Sequence, residues 1–295
     1  MKQKRLGWRK DKFDRRDYLH KIIVPIAAIP DVVRDIMVKF VPPVRNQGNS
    51  GSCVGFGIGV NLTSLANTQM VILPGSIQYI SPTDIYNGAR YIEGSLAYDI
   101  GCYPRDALDW LLKKGCLPET FWPYNGFEKK SRPSNLDPEA AKYPLLEYYR
   151  VDNGVDGICS AIAAGFYISI GTPWPDKWMN SKDGILPEIK KTDSIAGGHE
   201  TCLYGYDRNK KIFYGINSWG TDVWSTSGAV VPKGHYTMPF SAFDIFKYQG
   251  GYDAHYTKIK WDKEPEPPTP ESNLRARLQL SSDGINWTTT VLDTK

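Results

Sequence analysis

The chain has little that would mark it for a membrane, a nucleotide or a metal. No apolar stretch reaches the roughly 20 residues that a bilayer span needs. The longest candidate near the start, residues 22–33, is interrupted by Pro25, Pro30 and Asp31. No apolar core of a signal peptide follows the first residues, so the sequence reads as cytoplasmic, with no membrane partner. No Gly-rich loop follows a strand pattern, which argues against nucleotide chemistry. There are only 4 histidines, and His20, His235 and His255 have no Cys or carboxylate at ligand spacing. Neither a metal nor any other cofactor is therefore expected. A net charge of +4 is too small to argue for nucleic acid. Internal repeats are absent. There are 5 cysteines, Cys53, Cys102, Cys116, Cys159 and Cys202, and an odd number leaves at least one unpaired. Cys102 and Cys116 bracket a helical pattern that holds them about 20 Å apart. A disulfide needs less than about 7 Å, so free thiols in a reducing compartment are expected.

What is present is an ordinary globular balance, 41% apolar and 23% charged, long enough for one large core or two modest ones. Residues 1–40 form a basic, then apolar, arm. Its basic part reads as a solvated terminus, and its apolar part as cover for the back of the main body. After a Gly/Ser/Asn loop at 46–52 comes the run CVGFGIGVNLTSLAN, apolar on nearly every face of a helix and therefore central. Ser81 and Pro82 start a second helix. A third follows Pro104, with Ala107, Leu108, Leu111 and Leu112 on one stripe and Gly115 as its stop. A further helix is expected near 155–164. Beyond about residue 145 the segments FYISI, ETCLYGYD and KIFYGINSW read as strands. Residues 263–271 form a Pro-rich linker, and 272–295 read as strand, Asp-Gly turn, strand.

Two features carry chemistry. Cys53 follows the Gly-rich loop and opens the central helix, where the positive helix end favours a thiolate. The loop leaves backbone N–H groups free to hold an oxyanion, with Gln47 in reach as a side-chain donor. Taken alone, a cysteine at a helix start is more often structural. Separately, a hairpin turn centred near residue 208 sets His199 opposite Asn217, and an imidazole held by an amide is the base and orienter of a nucleophilic triad. Taken alone, such a pair reads as polar residues at strand ends.

Together, Asn46-Gln47-Gly48-Asn49-Ser50-Gly51-Ser52-Cys53, Gly198-His199 and Asn217-Ser218-Trp219-Gly220 resemble the active-site segments of papain-family cysteine peptidases, in the same order. The resemblance covers roughly residues 41–262, and several further segments look like the compact prokaryotic branch. It implies an α+β, two-lobed fold: a helical lobe at about 41–144 and an antiparallel, barrel-like β lobe at about 145–262, with the cleft between them. It also implies roles. Cys53 attacks the peptide carbonyl, His199 moves the proton, and Asn217 fixes the tautomer under the cover of Trp219. Gln47 and the Cys53 N–H form the oxyanion hole. Gly101, Cys102, Gly198, Glu200 and Trp219 line the substrate site, with Gly101 pairing to substrate backbone. The sequence departs from the pattern at several points. Ser50 stands where many members carry a half-cystine, Val54 replaces an aromatic, and Cys102 and Glu200 stand where small residues are common.

The expected activity is hydrolysis of a polypeptide substrate by a cysteine endopeptidase through a thioester. One competing reading is a structural or self-processing component of a larger assembly, reached through the arm or the tail. A third is another Cys–His enzyme, such as a cell-wall amidase or transglutaminase; Trp219 beside Asn217 and the Gln47 spacing argue against it.

Overall fold

A helix that is apolar on every face is stable only with structure on all sides of it. The structure, a computed structural model, describes residues 5–14, 28–71, 79–224 and 231–261, and the backbone of 277–281 and 284–288. It opens with β1 (Val32–Val33) and then helix α1 (Cys53–Thr68), which buries 14 of its 16 residues. Helices α2 (Pro82–Ile92) and α3 (Pro104–Lys114) pack on one side of α1. Ser81 caps α2, its hydroxyl accepting the Asp84 N–H at 3.2 Å, with Pro82 in the first turn. Helix α3 ends at Gly115, whose φ of 73° suits glycine. Ala107, Leu108 and Leu111 are buried as expected, but Leu112 is 44% exposed. Trp110 turns inward instead, because its indole N–H donates to the buried Asp84 at 3.2 Å. Arg132 forks onto the same carboxylate at 2.6 and 2.8 Å, tying the loop before α4 (Asp137–Ala140) to α2.

The other side of α1 faces the sheet. In chain order come β2 (Leu145–Arg150), α5 (Gly154–Ala163), β3 (Ile168–Pro175), α6 (Asp176–Met179), β4 (Ile195–Asp207), β5 (Ile212–Ile216), β6 (His235–Pro239), α7 (Ala242–Phe246) and β7 (Asp253–Ile259). The strands are antiparallel in the order β2-β7-β3-β4-β5-β6, with β1 added to β4. The end strands β2 and β6 do not pair, so the sheet is curved cover for α1 and not a closed barrel. Strands β8 (Arg277–Ser281) and β9 (Gly284–Thr288) pair with each other as the tail's hairpin.

The β4–β5 register differs from the expected one, and parity saves the outcome. Near the turn, Asp207 pairs with Ile212 and Tyr206 with Phe213, a three-residue offset that would turn His199 and Asn217 to opposite faces. An irregularity between Leu203 and Gly205 removes one residue, so Cys202 pairs with Ile216. The remaining offset is two, which keeps both side chains on one face as diagonal neighbours.

The arm divides. Ile29 enters the β-side core and β1 pairs with Asp207 and Tyr206, covering the far end of β4 as expected. Residues 5–11, in contrast, are neither solvated nor on the back; they thread the groove between the two halves. Residues 15–27 lie outside the described residues. All five cysteines are free and buried. Among the described residues no helix is long and apolar enough to cross a membrane.

Candidate active site

Cys53 is the first residue of α1, at the edge where the helical half meets the sheet. The preceding loop is held by its own backbone. Gln47 N–H donates to Ser218 O at 2.8 Å, and Asn46 bridges to Trp219, so the Cys53 loop and the Asn217 segment are one unit. The Gln47 side chain is fixed as well, its Oε1 accepting Ser218 Oγ at 2.6 Å and its Nε2 donating to Ser50 O at 2.7 Å.

From β4, His199 reaches Asn217, with Nε2 and Asn217 Oδ1 2.7 Å apart. Trp219 stacks on the imidazole with centroids 4.6 Å apart, and Trp174 meets it edge-on at 4.8 Å. That aromatic wall keeps water from the His199–Asn217 bond. The amide oxygen can only accept, so the proton is on Nε2 and Nδ1 carries the free lone pair. Nδ1 makes no hydrogen bond among the described residues. The Cys53 sulfur is met by the backbone N–H groups of Glu200, Gly7 and Val54. Burial pushes the Cys53 thiol up to about 12 and the His199 imidazole down to about 4. Two fully buried groups pay desolvation for charge, so burial disfavours a thiolate at Cys53 and an imidazolium at His199.

The arm reaches this site at the Cys53 sulfur, through Gly7. Gln47 Nε2 also donates to Arg5 O at 3.2 Å. The Cys102 N–H donates to Gly7 O at 2.9 Å, and Arg9 N–H to Cys102 O at 3.1 Å. Trp8 N–H donates to Gly198 O at 2.9 Å, the residue before the histidine. Gly101 contributes closeness instead of a bond: a Cβ on it would collide with the Gly7 carbonyl. Three of the substrate-site residues expected from sequence, Gly101, Cys102 and Gly198, therefore meet the arm's backbone. Basic arm residues complete the seal on acidic partners. Arg5 lies 3.3 Å from Asp99, Arg9 2.6 Å from Glu93, and Lys10 against Asp253.

Glu200 is fully buried beside Gly57 of α1, and neither carboxyl oxygen has a hydrogen-bond partner among the described residues. Burial holds its pKa well above the ordinary range, with Asp11 and Asp253 adding repulsion. Asp11, from the arm, rises to about 8 for the same two reasons. The acidic group of Asp11, Asp253 and Glu200 was missed from sequence. Its three members are 189 or more positions apart or on separate elements, and an isolated Asp gives no signal of burial. Among the described residues no cluster of His, Cys, Asp or Glu could hold a metal ion.

Comparison with known proteins gives a consistent picture. The description "Papain family cysteine protease" matches residues 31–232. An uncharacterized peptidase C1-like protein of Acanthamoeba polyphaga mimivirus is 27% identical over 209 residues, 66% of this chain and 63% of that protein. Pro-cathepsin H of Bos taurus is 24% identical over 200 residues, 64% of this chain and 55% of that protein. The chain thus spans less than two thirds of the length of these relatives. Among solved structures, xylellain, a cysteine protease from Xylella fastidiosa, superposes with a TM-score of 0.73 at 26% identity, covering 88% of this chain and 98% of that one. A procathepsin B from Trypanosoma congolense shares the fold, with a TM-score of 0.67 at 10% identity. With the match extending over residues 31–232 and both halves of the fold in place, the chain belongs to the papain family of cysteine proteases.

Proposed function

We propose that this chain is a cysteine endopeptidase folded in a latent state, with Cys53, His199 and Asn217 as its triad and residues 5–11 as the segment that keeps substrate out. The observation that carries the reading is the His199–Asn217 bond of 2.7 Å, sheltered by Trp219, on the strand whose residue 200 N–H touches the Cys53 sulfur.

Chemistry follows from the donors and acceptors. Once the arm leaves, water reaches the site and the penalty on charge falls, so His199 Nδ1 takes the Cys53 proton. The thiolate attacks the substrate carbonyl carbon. Gln47 Nε2, released from Arg5 O, and the Cys53 N–H at the start of α1 donate to the oxyanion. The imidazolium, held by Asn217, returns its proton to the leaving amine as the C–N bond breaks and a thioester remains. Water, deprotonated by His199, then attacks the thioester, and the acid departs as the thiol re-forms. The test is hydrolysis of a protein substrate by the full chain and by Cys53→Ala, with the released fragments identified by mass. Equal release by the two proteins would rule out Cys53 as the nucleophile.

A further inference from the structure

The Gln47 side-chain amide is aimed by a short relay. Its Nε2 gives one hydrogen to the Ser50 carbonyl at 2.7 Å and the other to Arg5 O at 3.2 Å. Ser50 C=O and Gly51 N–H are the two sides of one planar peptide unit. The N–H side donates to Asp99 Oδ1 at 3.0 Å. That oxygen also accepts the Tyr86 hydroxyl at 2.6 Å and lies 3.5 Å from Ser50 Oγ. The Asp99 side chain is 8% exposed, and Tyr86 is buried. Burial, and then the bond to Asp99, push the Tyr86 phenol up, so it stays a donor. The flanks of the loop are pinned separately. Tyr124 OH donates to Gln47 O at 2.7 Å and accepts the Ser52 hydroxyl at 2.8 Å. Neither of those bonds sets which way the Ser50–Gly51 peptide faces; Asp99 does.

We infer that Asp99 is a positioning residue for the reaction: it fixes the Ser50–Gly51 peptide so that the Ser50 carbonyl points the Gln47 amide at the oxyanion. The inference rests on the peptidase reading. A peptide plane turns about its flanking bonds, and Gly51 brings no side chain to hinder it. The carboxylate holds the N–H side with a charge-assisted bond. It also polarises the unit, so the carbonyl accepts from Gln47 more strongly. Without Asp99 the carbonyl is free to turn away, and Nε2 loses its anchor. Ser218 Oγ, 2.6 Å from Oε1, then holds the amide at one point about which it pivots. The loss falls where negative charge develops on the substrate oxygen, so it weakens the transition state more than substrate binding. In the latent state Arg5 spans the whole relay, with its carbonyl on Gln47 and its guanidinium 3.3 Å from Asp99 Oδ2.

The experiment uses the full chain carrying Arg5→Ala, so that every variant has lost the arm's contact with Asp99 alike. Rates are counted per titrated Cys53 thiol, which leaves unfolded protein out. Asp99→Ala is expected to lower kcat about tenfold to hundredfold with KM within about threefold. Asp99→Asn keeps an acceptor oxygen for Gly51 and Tyr86 and is expected to recover kcat to within about fivefold of the parent. Asp99→Glu keeps the charge but displaces it by one methylene; it is expected to fall with Asp99→Ala, and it supplies the reading if Asp99→Ala does not fold. A peptide aldehyde, which adds to the Cys53 sulfur and sets its oxygen at Gln47, is expected to lose affinity in step with kcat. A peptide bound to the Cys53→Ala form, read by fluorescence anisotropy, is expected to keep its affinity. A lower melting temperature with unchanged kcat per thiol and unchanged aldehyde affinity would overturn the inference and leave the peptidase reading standing. Equal losses of peptide and aldehyde affinity would do the same. Aldehyde binding that depends on Asp99 in a protein without peptide turnover would keep the assignment of Asp99 and overturn the peptidase reading. An Arg5→Ala parent with neither turnover nor aldehyde binding would overturn both.

Discussion

Substituting Gly7 by alanine should switch the enzyme on. At Gly7 the arm passes so close to the loop before Cys53 that a Cβ would collide with the Gly51 carbonyl. That loop cannot yield as a long side chain could. Gly51 N–H is held by Asp99 at 3.0 Å, and Asp99 in turn accepts the Tyr86 hydroxyl at 2.6 Å. Forcing one methyl into a tight, rigid contact costs about 1–3 kcal/mol. Here the strain is relieved by release of the arm, so the substitution acts on the docking equilibrium. At 1.36 kcal/mol per factor of ten, the open fraction rises about 5- to 150-fold until it approaches one. On the proposed reading arm and substrate compete for the same backbone partners, so kcat/KM should climb by that factor while kcat at saturation stays put. Initial rates on a fluorogenic peptide measure both, with Cys53→Ala as the blank and a thermal melt to establish that Gly7→Ala is folded. A folded Gly7→Ala protein with the wild-type kcat/KM would mean that the arm does not gate the cleft.

Acidity should tighten the arm. The docked arm holds the Asp11 carboxyl at about 8 against an ordinary 3.8, so it binds more protons than the released arm. Docking is therefore strongest below about pH 4 and weakens as pH rises toward 8, and peptide turnover should rise across that window more steeply than in Asp11→Asn. An Asp11→Asn profile superimposable on the wild type would contradict this linkage. Asn217→Ala strands the buried Nε2–H of His199 and frees the ring to adopt the other tautomer; a loss of about 1–3 kcal/mol predicts a 5- to 150-fold fall in kcat, read by steady-state kinetics. Arg132→Met leaves the buried Asp84 carboxylate without its fork, which should lower stability by about 3–5 kcal/mol in denaturant unfolding. A loss below about 1 kcal/mol there would show that Trp110 and the Leu117 N–H suffice for Asp84.

Much of this protein can be read from local pattern, and the rest is hidden for a physical reason. The central helix announces itself because its apolar residues recur on all faces, and Ser81 and Gly115 mark boundaries through local hydrogen bonding and φ. The His199–Asn217 contact was legible despite a register wrong by two, since the period of a strand forgives even offsets. Leu112 was misassigned to the buried stripe, and Trp110 was not singled out, because the choice turned on a carboxylate 26 positions from Trp110. The cleft strand was illegible for a related reason. Residues 5–11 have no periodicity, and their partners Cys102 and Gly198 are brought to them only by the finished fold. Gly7 and the spaced Arg5, Arg9 and Lys10 were the only local hints, and a basic terminus more commonly faces solvent.

On the reading proposed above, the short pairing of Val32 and Val33 with β4 sets how inhibition would end. It fastens the chain behind the cleft strand, so residues 5–11 would compete as a tethered ligand whose effective concentration is of the order of millimolar, whatever the protein concentration. Dilution cannot release a tethered inhibitor. One cut in the chain between Asp14 and Ala28 would make the strand an ordinary peptide, free to diffuse, and at micromolar enzyme its occupancy would then collapse. On that reading latency would be stored in chain continuity, and breaking a single peptide bond would turn a reversible equilibrium into a one-way event.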